Sequence, residues 1–272
     1  MNEAIQEAIA TIEHDFGVRV LYAAESGSRA WGFASPDSDY DVRFVYAHPR
    51  DWYLSVFEQR DVIERMLPGD LDVSGWELRK ALRLSSRCNL AFNEWFDSPI
   101  VYRANVHFAA DIRSVNEACF QPARALYHYL SIARGTYSDH LQGDEVRIKK
   151  LFYFLRPILC CRWIEHARMQ PPTRFASLLA APWVHDEERE WINQLEQRKA
   201  RANEGDLEPV PAWLRQWMLG EAGRYTAMGA SLAQPTEVPH QRLDQVMRRW
   251  VGVGNGSEAQ ISHEMRENIA SR

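Results

Sequence analysis

Hydrophobic and polar positions alternate along the chain with two different periods. Residues 2–15 are acidic and amphipathic at helical spacing, and short Val-, Tyr- and Phe-rich runs at 18–24, 40–46 and 71–76 have the length and composition of strands. Ser, Pro, Asp and Gly clusters punctuate these runs, and a helix is predicted over 77–87. Farther along, the period becomes almost wholly helical. Helices are predicted over 109–118, 123–137, 145–167, 186–201, 211–228 and 240–251, with loops at Pro171-Pro172 and at 208–211. The tail, 252–272, is polar and interrupted by Gly and Ser; it reads as loose, with a short helix at its end. No repeat of fixed period is present. The pattern predicts an α+β domain over residues 1–112 followed by an all-helical domain over 113–272.

A length of 272 residues suits one large or two modest domains, and 46% hydrophobic with 25% charged residues is an ordinary globular composition. The formal charge of −5 argues against coating nucleic acid by bulk attraction. That charge divides unevenly, into −7 over residues 1–112 and +2 over 113–272. No apolar run is long enough to span a membrane, and the N-terminus is unlike a signal peptide. Cys88, Cys119, Cys160 and Cys161 form no zinc-ligand spacing, so they read as small buried thiols in a cytoplasmic protein. The nine histidines are scattered.

The stretch from Glu25 to Phe44 carries the candidate chemistry. A strand ends in Gly27-Ser28, ten residues intervene, and Asp39-Tyr40-Asp41-Val42 opens the next strand. Alternate strand residues share a face, so Asp39 and Asp41 are expected to project together while Tyr40 and Val42 turn to the core. Two adjacent carboxylates raise each other's cost of ionisation. A divalent cation removes that cost, and an oxygen-only donor set suits Mg²⁺. Gly27 and Ser28 at a strand-to-helix turn offer close backbone approach, free N–H groups and a hydroxyl, which a phosphate needs. An isolated Asp-x-Asp is commonplace on a solvated strand edge. Its combination with the Gly-Ser turn at this separation is much more specific.

On these residues the sequence resembles the DNA polymerase β nucleotidyltransferase superfamily, whose signature is a hydrophobic residue, Gly-Ser, about ten residues, then Asp-hydrophobic-Asp-hydrophobic. The longer string G-S-R-A-W-G-F-A-S-P-D-S-D-Y-D-V-R resembles a bacterial branch associated with RNA ligases in RNA repair operons. Asp72, Glu77, Lys80, Asn89 and Glu94 match its later elements, although Leu90 stands where the branch usually has proline. The segment from Lys150 to Pro157, then Trp163 and Pro171-Pro172, is also similar, so the resemblance runs from about residue 20 to 180. It implies a polymerase-β-like core with a mixed sheet, and Asp72 as a third carboxylate in preference to the turn residue Asp70. It further implies two Mg²⁺ ions, replaceable by Mn²⁺, held by Asp39, Asp41 and Asp72, and NMP transfer from an NTP, with ATP expected. Nucleotide contacts are expected from Gly27, Ser28, Arg29, Ser38, Lys80, Lys149, Lys150, Tyr153 and Arg156. RNA ends are the expected acceptor; a protein hydroxyl and a small molecule suit the same core, and a non-catalytic nucleotide sensor is the alternative of another class.

Residues 147–174 hold seven basic side chains and one acid, Glu165. Lys149, Tyr153 and Arg156 fall at i, i+4 and i+7, one stripe of a helix that Pro157 is expected to kink. The stripe is either a solvated face or a grip for a triphosphate or RNA backbone. Only four of the 32 basic residues are lysine, which makes the adjacent pair Lys149-Lys150 and the lone Lys80 conspicuous as compact phosphate partners. Ten tryptophans read mainly as packing, with Trp31 the one expected to line the site.

Overall fold

The computed structural model describes residues 1–35, 38–199, 206–210, 212–229 and 237–251. The predicted ends at 200–201 and 211, and the tail at 252–272 with its short helix, lie outside the described residues. In chain order the elements are α1 (Asn2–Phe16), β1 (Arg19–Glu25), α2 (Gly27–Trp31), β2 (Tyr40–Ala47), β3 (Val62–Leu67), β4 (Leu71–Glu77), α3 (Leu78–Ser86), α4 (Leu90–Phe96), β5 (Val101–Ala104), α5 (Val106–Ala118), α6 (Pro122–His140), β6 (Glu145–Arg147), α7 (Ile148–Ala167), α8 (Phe175–Leu179), α9 (Asp186–Lys199), β7 (Leu207–Pro209), α10 (Ala212–Gly229) and α11 (His240–Trp250). Among the described residues no helix is long and apolar enough to cross a membrane.

The five-stranded sheet has the order β3-β4-β2-β1-β5. β2 and β4 are parallel and every other pairing is antiparallel, which makes the sheet mixed. Strand periodicity sorts its side chains onto two faces. Val42, Phe44, Tyr46 and Val73 pack with Ile5, Ile9 and Ile12 of α1. Tyr22, Ala24 and Val45 face α3, α4 and α5 on the other side. Gly75 is required where β4 passes Phe44, because a Cβ there would stand 2.2 Å from the ring. Local chemistry sets the helix starts: the carboxylate of Glu77 accepts from the N–H groups of Arg79 and Lys80, and Asn89 and Asn105 cap α4 and α5.

The expected domain boundary at 112 falls inside α5. Phe108, Ile112 and Val115 all turn to the core beneath the sheet, so one apolar face holds that helix together across the predicted division. α11 also returns to this core through Leu243, Val246 and Trp250. Its indole N–H donates to Asp111 over 2.8 Å, beside an Arg249–Asp111 ion pair at 3.1 Å. The other core surrounds α7, which continues through Pro157 and packs with α6, α8, α9 and α10. This part is helical apart from the β6–β7 ladder. All four cysteines are free and buried, and burial pushes the Cys160 thiol up to about 12.

A buried ionic cluster joins the two cores. The Glu94 carboxylate on α4 accepts from the Tyr129 hydroxyl at 2.8 Å and the Trp31 indole N–H at 3.1 Å, and pairs with Arg156 at 2.9 Å. The Arg156 guanidinium lies 4.4 Å from the centre of the Trp31 ring and donates to the Thr173 carbonyl at 3.3 Å. Burial opposes the charge on Arg156, but Glu94 outweighs it and the pKa is raised. Removing one member strands the other in a dry interior. Arg156→Met is therefore expected to cost about 3–5 kcal/mol in urea denaturation, with part of the loss recovered when Glu94→Gln is added. A cost near zero for the single variant would show that the cluster does not hold the cores together.

Candidate active site

β1 ends at Glu25 and the chain turns at once into α2. Gly27 sits at φ 61°, in the left-handed region, and a Cβ there would come within 2.3 Å of the Asp41 Oδ2. Both the turn and the carboxylate therefore demand glycine. Ser28, the next residue, is buried. The Ser26 N–H donates to the Asp41 carbonyl at 2.8 Å, and the Asp41 N–H donates to the Glu25 carboxylate at 2.8 Å. The Gly-Ser turn and the Asp-x-Asp segment are thus locked to each other by two hydrogen bonds, one of them between backbones.

The parallel pairing of β2 and β4 puts Asp41 directly opposite Asp72. Asp70 instead adopts φ 54° in the turn after Gly69 and offers its carbonyl to the Tyr40 N–H at 2.9 Å. A single nitrogen of Arg43, Nη2, bridges the two carboxylates, 2.9 Å from Asp41 and 2.8 Å from Asp72. Burial raises the Asp41 pKa, and Arg43 opposes that rise. The Asp72 and Asp39 charges push it up further, and Lys149 draws it down. Glu25 behind it is also raised, chiefly by burial, against hydrogen bonds from the Tyr102 hydroxyl and the Asp41 N–H.

Asp39 lies exposed, one residue before β2 begins. Its carbonyl accepts from Arg29 Nε at 3.0 Å, and that of Ser38 from Arg29 Nη2 at 2.6 Å, while the guanidinium stacks 3.7 Å over Tyr40. Ser38 is buried and its hydroxyl accepts from the Ser35 N–H at 2.9 Å. Arg29 and Ser38 thus brace the loop that delivers Asp39. Lys199, for which the sequence suggested no role, reaches in from α9 to the Phe33 carbonyl and, at 3.3 Å, the Ser35 hydroxyl.

The helical stripe runs from the cleft into the interior. Lys149 is close enough for its charge to act on Asp41. Lys150 lies 5.5 Å from the Tyr153 ring, and Tyr153 packs edge-on to Trp31 at 5.6 Å. Arg156 departs from the expectation of a nucleotide contact, because Glu94 holds it inside the protein with a side chain 4% exposed. Arg162 is likewise neutralised internally, by Glu188 at 2.6 Å and Glu221 at 2.8 Å. Lys80 departs as well. Asp72 opens β4 while Lys80 follows its other end, about 16 Å of strand away, and pairs with Asp61 at 2.9 Å.

Gly27, Ser28, Asp41, Asp72 and Lys149 are therefore brought together, with Asp39 beside them. Among the described residues no three His, Cys, Asp or Glu side chains converge as a metal-holding group. The pair Asp41–Asp72 can hold Mg²⁺, which takes one or two carboxylates and completes its shell with water and phosphate oxygen. Arg43 marks the place where positive charge belongs. Sequence reasoning passed over it, although its position two residues beyond Asp41 puts both on one face of β2.

The chain matches the RNA repair pathway DNA polymerase beta family over residues 1–249. It is also 46% identical over 208 residues to the uncharacterized protein YcgL of Bacillus subtilis (strain 168), a similarity covering 76% of this chain and 80% of that protein.

The electrostatics give a pH-dependent test. A carboxylate whose folded pKa lies above its unfolded value binds its proton more tightly in the native state, so stability falls as pH rises through that range. Arg43→Met removes the charge that opposes this. The variant is expected to lose about 1–3 kcal/mol at pH 8 and clearly less at pH 5, measured by chemical denaturation in chelator. Equal losses at both pH values would contradict the bridging role.

Proposed function

Because the chain belongs to the RNA repair pathway DNA polymerase beta family, we propose that it transfers a nucleoside monophosphate from an NTP, ATP by expectation, to an RNA 3′ hydroxyl with release of pyrophosphate. Membership itself carries the coarser statement, a nucleotidyltransferase-type protein linked to RNA repair. The observation that supports the finer one is the Asp41–Asp72 pair sharing one cationic nitrogen against a glycine that has no room for a Cβ.

Asp41 and Asp72, with Asp39, would hold two Mg²⁺ ions or Mn²⁺ in their place, and Arg43 would swing aside. Bound there, the ions would supply the positive charge that stabilises an in-line displacement at the α-phosphorus. The N–H groups of the Gly27-Ser28 turn and the Ser28 hydroxyl receive the β- and γ-phosphate oxygens. Lys149 and Lys150 balance their charge, and Tyr153 against Trp31 walls that side of the cleft. Asp72 takes the proton of the attacking hydroxyl as its oxygen bonds to the α-phosphorus and the bond to the β-phosphate bridge breaks. Arg29 and Ser38 act through the loop that carries Asp39. No role is proposed for Lys80 or Arg156 in contact with nucleotide.

Incubation with each α-labelled NTP, Mg²⁺ or Mn²⁺, and separate pools of RNA, protein and small molecules tests this reading. Label is expected on RNA 3′ ends. Label confined to the protein or small-molecule pool would reassign the acceptor, and NTP binding without label in any pool would favour a nucleotide sensor. Asp39→Asn and Asp41→Asn should each abolish transfer while leaving the unfolding transition in place; full activity in either rejects the assignment. RNA affinity is expected to fall steeply between 50 and 200 mM salt, on the order of tenfold or more. A flat salt profile would remove RNA as the acceptor.

A further inference from the structure

A cavity of about 430 Å³ opens where α9 and α10 pack on α7. That volume is in the range of small-molecule sites, roughly 300–1,000 Å³. Tyr153 of α7 faces Trp31, and Leu155, two residues on, lies about 200° farther round the helix. The cavity therefore opens on the side of α7 turned away from Trp31. Helical spacing builds its walls. On α9, Glu188, Trp191 and Ile192 fall at i, i+3 and i+4; on α10, Trp213, Leu214 and Trp217 fall at i, i+1 and i+4.

Three indoles and two carboxylates give this wall its character. Trp191 and Trp213 meet edge to face, with ring centres 5.3 Å apart and planes at 84°, so they form a corner. Trp213 remains 52% exposed, which leaves one arm of that corner open to solvent. The face of an indole attracts cations, and the wall already uses that attraction: the Arg162 guanidinium lies 5.9 Å from the centre of the Trp217 ring. Among the described residues lining the cavity there is no lysine or arginine. Glu187 is exposed at its rim, and Glu188 gives one oxygen to Arg162 at 2.6 Å. Arg162 also pairs with Glu221, and Arg224 pairs with Glu221 and Glu165. Three carboxylates thus hold two guanidiniums beside the wall, and Glu187 adds a fourth negative charge.

We propose that this cavity binds a quaternary ammonium cation. The surplus of carboxylates calls for positive charge, and the indole corner is the surface on which an alkylated cation is held. A primary ammonium carries three N–H donors, which indole faces leave unmatched, whereas a quaternary head has none to satisfy. Leu155, Ile192 and Leu214 offer apolar surface to its methyl groups and carbon chain. The ligand is a free small molecule, because the volume suits one cationic head with a short chain.

Calorimetric titration of the full-length protein with choline, tetramethylammonium, spermidine and the uncharged choline isostere 3,3-dimethyl-1-butanol tests the site. Choline or tetramethylammonium is expected to bind one to one, at least about tenfold more tightly than the uncharged isostere and more tightly than spermidine. Trp213→Leu and Glu187→Gln change exposed positions. After each is shown to unfold like the parent, Trp213→Leu should weaken binding about tenfold and Glu187→Gln by a smaller factor. Binding should be unchanged in Asp41→Asn, which keeps this proposal distinct from the reading of the carboxylate site. The proposal is overturned if neither quaternary cation binds, if the uncharged isostere or spermidine binds as tightly, or if binding is indifferent to Trp213→Leu.

Discussion

Glu94 is the point on which the arrangement turns. Its carboxylate gathers side chains from α2, α6 and α7, two of which also set the site. Trp31 belongs to the short helix that begins at the Gly27-Ser28 turn, and Arg156 lies two helical turns beyond Lys149. Fixing Trp31 and Arg156 to one buried charge fixes the turn against the lysine-bearing end of α7. An isolated buried ion pair adds little net stability against an apolar substitute, but it accepts very few geometries. Here the tolerance of the cleft between the two cores is set by hydrogen bonds rather than by grease. That arrangement also explains why a basic residue that looks available for phosphate in the sequence is internal in the fold.

The carboxylate pair obeys the opposite logic. Register alone forces Asp41 and Asp72 together, burial penalises the charge on Asp41, and Asp39 adds to the repulsion. Arg43 relieves part of that strain from within the same strand. Such a cluster contributes poorly to stability. Gly27 tightens the constraint, since the turn and the carboxylate occupy space that any side chain would claim.

Much of this was legible in the sequence. The Gly-Ser turn and the Asp-x-Asp segment each announce themselves by spacing, β1 has a continuous apolar run, and β2 and β4 set apolar residues at alternate positions. The edge strands were hidden. In β3, Glu64, Arg65 and Met66 are exposed, so no alternating pattern marks it, and β5 is only four residues long. The boundary at 112 falls within α5 because a change of periodicity records where strands stop, not which core a helix joins. Lys80 and Arg156 are engaged away from the carboxylates for a related reason. Charge and helical spacing give a face, whereas the partner across that face, Asp61 or Glu94, is set by tertiary contacts. Lys199 and Arg43 were missed because a lone lysine on a polar helix and an arginine in a strand carry no local signal of the loop or carboxylates they serve.

The most direct test is a crystal structure with Mn²⁺ and an ATP analogue that cannot be cleaved between its α- and β-phosphates. The account predicts anomalous density beside Asp41 and Asp72, the triphosphate on the Gly27-Ser28 turn, and Arg43 displaced from between the carboxylates. Nucleotide bound elsewhere, with Arg43 still bridging Asp41 and Asp72, would contradict it.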